Sequence, residues 1–202
     1  MTAATAPESV DRSDWRLIVF GGAKIGVATA IGVAVFSLLS RSLTGTTETI
    51  VQAILILVGG AVFAFLPAHW IRPRSVDGIA WAAMTGLMGA LFFAAFDILL
   101  LRRLGMYRNS WDLIGGGSTY WYLPVWWMGS ATLAWLGGWI VANQNRPSGG
   151  PLMAAAQAEG LAIVLFGVLV VALGPFSSAM MALAYALALV VLVPLSAVLG
   201  RT

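Results

Sequence analysis

Apolar residues run through this chain in long stretches separated by short polar segments. Six stretches reach the roughly 20 residues that a helix needs to cross a ~30 Å hydrocarbon core. They cover residues 17–39, 50–70, 78–101, 120–141, 152–173 and 179–199. None alternates polar with apolar positions, as the ~10-residue strands of a membrane barrel do. Helix is then the required form, because an unpaired backbone group in lipid costs several kcal/mol. The pattern predicts an all-α, polytopic membrane protein: one bundle of six transmembrane helices over 17–199, with short loops, behind a polar tail at 1–16.

The breaks between stretches carry their own signals. Residues 40–49 read as a polar turn, with Arg41, Glu48 and four threonines. Arg72, Pro73 and Arg74 stop the second helix, and Ser75 or Asp77 caps the third. Residues 142–151, rich in Asn, Gly and Pro, form a loop. The turn at 174–178 is so short that the last two helices must form an antiparallel hairpin. The longest connection is 102–119, where Asn109 or Ser110 can cap a short interfacial segment. That segment is either a linker lying on the membrane surface or a lid and docking surface. Residues 1–14 lack a basic region followed by a short apolar one, so the first span is read as a retained anchor and not a cleaved signal peptide. The two halves of the chain show no matching polar positions, which weakens an inverted-repeat transporter reading.

Composition narrows the class. Charged residues make up 9% and hydrophobic ones 60%, where soluble domains carry about 25% charge. A soluble globular domain, a disordered chain and a nucleic-acid-binding module are excluded. The chain has no cysteine and one histidine, His69. Disulfides, Cys-held metal clusters, bis-His haem and multi-His metal sites are excluded with them.

The basic residues sit at the ends of the apolar stretches. Six of them (Arg12, Arg16, Arg72, Arg74, Arg146, Arg201) fall on the side of the termini and four (Arg41, Arg102, Arg103, Arg108) on the other. The positive-inside rule then places both termini in the cytoplasm, for a protein of the bacterial inner membrane.

Three ionisable side chains lie within spans: Lys24, Asp97 and Glu159. Such groups are costly in lipid and are the first candidates for function. Lys24 follows Arg16 by eight residues and Glu159 follows Pro151 by eight, in two spans that start from the same side. They share a depth and carry opposite charge, so neighbouring helices would let them pair. Ala155, Ala156 and Ala162 flank Glu159 and allow close helix approach there. The pair would serve as a proton relay or gate, or would simply set which helices meet. Lys24 snorkelling to the surface is the alternative. Asp97 stands one turn from the end of its span, before Arg102 and Arg103, which would neutralise it; as an ion-entry site it would draw in Gln52 from the same side.

His69, at the end of the second span, is either an axial ligand for haem or a chlorin or a partner for headgroups. Gly22, Gly26 and Ala30 form a small-residue ridge on the first span, with Lys24 on nearly the opposite face. This span is then central in the bundle, or one face meets another subunit. Residues 120–127 hold five aromatics, and Trp121, Met128 and Trp135 follow at heptad spacing. Trp121, Trp126, Trp127 and Trp135 are the candidate contacts for a lipid tail, quinone, carotenoid or chlorin, or for partner helices. A thick interfacial belt is the plainer alternative.

No HExxH, nucleophile elbow or paired-carboxylate motif is present, and the chain is not expected to be an enzyme. The expected function is an accessory or scaffolding subunit of a larger membrane complex, respiratory or photosynthetic, with membrane lipids and other membrane subunits as partners. The alternative is a small ion- or proton-coupled transporter or channel using Lys24, Glu159 and Asp97.

Overall fold

The structure is a computed structural model that describes residues 14–106, 122–144, 150–174 and 176–199. It is helical throughout, with no strand among the described residues. The helices are α1 (Trp15–Ser42), α2 (Gly45–Ile71), α3 (Val76–Phe96), α4 (Tyr122–Asn143), α5 (Pro151–Leu173) and α6 (Ser178–Leu199). A π-helical turn, Asp97–Leu101, extends α3. Five of the six are long and apolar enough to cross a membrane. The sixth, α4, has 22 residues but carries four Trp and three Gly, which lower its mean hydropathy. The protein is an integral membrane helical bundle.

The local signals largely act as expected. The Ser75 hydroxyl accepts the Gly78 N–H at 3.1 Å and starts α3, while Asp14 does the same for Arg16 at 3.0 Å and starts α1. Arg72 ends α2 in the left-handed region, φ 53°, and Pro73 prevents continuation. The predicted turn over 40–49 is a correction: only Leu43 and Thr44 separate α1 from α2. Hydroxyls in this stretch fold back onto helix carbonyls instead of breaking the helix, Ser42 onto Leu38 at 3.0 Å and Thr49 onto Gly45 at 3.4 Å. The predicted interfacial segment within 102–119, with Asn109 and Ser110, lies mostly outside the described residues.

Lipid offers no hydrophobic drive for helices to associate, so close packing at small residues decides who meets whom. The Gly22–Gly26 ridge of α1 lies on α3. A Cβ at Gly22 would come within 2.5 Å of the Met88 Cβ, and one at Gly26 within 2.5 Å of the Phe92 Cβ. Gly86 of α3 faces Ser130 and Ala134 of α4, and Gly137 of α4 seats against the Ala64 backbone of α2. The helix that packs against all five others is α2. Of the two alternatives for the first span, the central place is overturned: α1 packs chiefly on α3 and α2 and leaves Phe20, Val27, Ile31, Val35 and Leu38 exposed.

The last two helices form the predicted hairpin, with Phe166 edge-on to Phe176 at 5.3 Å. The buried stripe of α5 is Ala154, Ala158 and Ala162, packed with Tyr185, Ala188 and Leu189 of α6 and Ala64, Phe65 and Ile140. Of the predicted approach face beside Glu159, Ala162 is buried and Ala155 packs half-buried against the same core, while Ala156 is exposed.

Candidate functional site

A cavity of about 670 Å³ opens between α1, α2, α4 and α6, with the end of α3 at its rim. Its walls run from mid-bundle (Ala28, Leu136) to the end where α1 and α3 finish (Ser37, Arg102). Val58, Gly59, Gly129, Thr132 and Ala182 are both lining residues and exposed ones, so the space is a cleft reaching the lipid-facing surface. The packing explains it. Both α1 and α4 pack on α3, at Gly89 and Gly86 respectively, and neither is a main neighbour of the other, which leaves a gap between them beside α2. The size lies within the range of ordinary small-molecule sites.

The wall is apolar and aromatic, with Phe36, Phe63, Phe93 and Trp126 among its rings. Phe93 and Trp126 meet edge to face at 6.1 Å. Its polar groups are few. Thr29 donates to the Ile25 carbonyl at 2.7 Å, and Ser37 donates to the Met106 carbonyl. Arg41, one turn on from Ser37, donates to the carbonyls of Gly105 and Met106 and so ties the end of α1 to the turn after α3. Asp97, 1% exposed, holds Arg102 Nε at 3.2 Å. Tyr185 of α6 is 3% exposed, and its hydroxyl is buried without a hydrogen-bond partner. Its ring lies against Gly60 of α2, where a Cβ would come within 2.6 Å.

The residues singled out from the sequence are dispersed. Asp97 stands at the cavity rim and pairs with Arg102, as its position before the two arginines predicts. Lys24 and Glu159 form no ion pair. The Lys24 ammonium is exposed and lies 5.8 Å from the Trp70 ring centroid, and Glu159 is half-buried on α5, which packs on α6 and α2 but is not a main neighbour of α1. The expected adjacency fails, because the glycine contacts place α1 chiefly on α3 while α5 packs on α6 and α2. Gln52 donates to Ser40 and Glu48, each at 2.9 Å, and not to Asp97. His69 is exposed at the end of α2, away from the cavity.

The aromatic candidates divide. Trp126 enters the cavity wall, while Trp135 and Met128 face outward. Trp135 meets Trp139 edge-on at 4.9 Å. The indole N–H of Trp127 is buried without a partner. Trp121 lies outside the described residues. Among the described residues no group of three or more His, Asp or Glu stands together to hold a metal ion.

Sequence reasoning missed Tyr185. The signal was present: it is the lone aromatic residue within 179–199, set well inside the span and away from the interfacial positions where Tyr usually anchors. Compared with known protein families, curated proteins and solved structures, the chain matches none.

Proposed function

We propose that this protein is a non-catalytic accessory subunit of a larger membrane complex, respiratory or photosynthetic, and that it holds one lipid-soluble molecule in the cleft between its helices. The cavity carries the reading. It is apolar, of ligand size, and open to the surface that faces lipid, so an apolar molecule reaches it by lateral diffusion. The outward faces of α1 and of α4, with Trp135 and Met128, offer apolar surface for lipids and partner helices. The charge bias of the loops supports a bacterial inner membrane with both termini cytoplasmic.

The transporter reading has less geometric support. Lys24, Glu159 and Asp97 stand on three helices and do not meet, and Asp97 is already engaged by Arg102.

Gentle extraction from the native membrane tests the proposal. The chain is expected to travel with larger membrane proteins and to yield a lipid, quinone, carotenoid or chlorin on solvent extraction. Migration as a lone 21.3 kDa polypeptide with nothing bound would overturn it.

A further inference from the structure

We infer that Lys24 and Trp70 form a binding site for the phosphate of an anionic phospholipid, at the membrane face where the termini lie. The site is on the outer surface of α1 and α2 and does not depend on what the cleft holds. Lys24 stands nine residues into α1, about 13 Å from its start at ~1.5 Å per residue. Trp70 is in the last turn of α2, at the end of the bundle where α1 begins. Side chains on a helix lean toward its N-terminus. The Lys24 ammonium is thereby carried back toward that end and lies 5.8 Å from the Trp70 ring centroid. It reaches the level of an interfacial tryptophan, which is the depth of lipid headgroups. The indole is held there by α1 itself: a Cβ at Gly21 would come within 2.9 Å of the Trp70 ring.

Lys24 makes no hydrogen bond or ion pair with the described residues. The described carboxylates at this end, Asp14 and Asp77, are exposed and neither pairs with it. An ammonium on a lipid-facing helix surface is costly without an anion, and the face of a ring supplies no opposite charge. Arg16, Arg72 and Arg74 are exposed at the same end, so the local charge favours an anion. The surroundings of Lys24 make that anion a lipid. Val27, Ala28 and Ile31 follow it by one and two turns on α1, and all three are exposed and apolar. They give acyl chains a track from headgroup level toward mid-membrane, which a free phosphate would not use. The loop charges assign this end to the cytoplasm, whose leaflet carries the anionic lipid, and basic sites between helices on that side suit such headgroups.

The test uses the purified full chain, stripped of lipid in detergent. Palmitoyl-oleoyl phosphatidylglycerol and palmitoyl-oleoyl phosphatidylcholine are titrated in, and the first bound lipid is followed by native mass spectrometry. On the unsubstituted chain the anionic lipid is expected to bind about fivefold more tightly than the zwitterionic one. Lys24→Gln is expected to bring the two within about twofold, and Lys24→Arg to keep the preference. Arg103→Gln removes an exposed charge at the opposite end and is expected to keep it too. No preference on the unsubstituted chain overturns the proposal, and this arm needs no folded variant. A preference retained in Lys24→Gln also overturns it, as does an equal loss in Arg103→Gln, which would make the preference an effect of net charge. Displacement of the anionic lipid by inorganic phosphate alone makes the site one for a free anion and overturns the lipid assignment. The cleft reading stands or falls separately from all of these outcomes.

Discussion

Arg102 bonds twice to Asp97: its Nε lies 3.2 Å from the carboxylate, and its backbone N–H donates to the Asp97 carbonyl at 3.0 Å. In a regular helix, residues five apart point about 140° away from each other. The π-helical turn over Asp97–Leu101 narrows that divergence and lets the guanidinium fold back onto the acid. A carboxylate that is 1% exposed is thereby neutralised by its own chain, next to an apolar cavity.

Removing the cation should be the more damaging half of this pair. Arg102→Met is expected to lower stability by about 2 kcal/mol, less than for a fully buried pair because Arg102 is a quarter exposed. Adding Asp97→Asn is expected to recover most of that loss. Denaturation of Arg102→Met, Asp97→Asn and the double variant in detergent measures it, and a double variant weaker than Arg102→Met would contradict the pairing.

The α1–α3 contact depends on glycine. Gly26→Leu places a side chain into Phe92 and the Phe93 backbone, and overpacking of this kind costs about 2 kcal/mol. Gly167→Leu on the outward side of α5 meets nothing within 4 Å and is expected to leave the melting temperature unchanged. A similar loss in both would mean that the contact with α3 does not set the effect, since leucine is the better helix former at either site.

Lys24 and Glu159 should act independently. In a double-mutant cycle of Lys24→Met and Glu159→Gln, the coupling energy is expected to stay below about 0.5 kcal/mol. A coupling well above that would place the two charges in contact.

The Asn143 amide donates to the Ser196 hydroxyl at 3.2 Å and joins the ends of α4 and α6. Interhelical hydrogen bonds in bundles of this kind average about 0.6 kcal/mol. Ser196→Ala is expected to lose about that much by denaturation, and no more once Asn143 is already Ala.

Legibility varied with the range of the interaction involved. The Ser75 cap and the Pro73 stop are signals within a few residues, and each stands where the sequence predicts. The Asp97–Arg102 pair is nearly as local and was legible for the same reason. The Lys24–Glu159 pairing was not, because depth along a helix follows from counting residues while the neighbour across the bundle does not. The Gly22–Gly26 ridge marked a packing face without naming α3 as what covers it.

The amino-acid sequence alone determined that this protein lives in lipid and crosses it as helices, since apolar length and the cost of unpaired backbone are properties of the chain itself. Tertiary structure decided that α2 is central, that α1 and α4 stand apart on α3, and that an apolar cleft opens between them. The physical reason is that in a solvent as apolar as the side chains, which helices touch is settled by steric fit at a few small residues, and fit exists only between surfaces brought together in three dimensions.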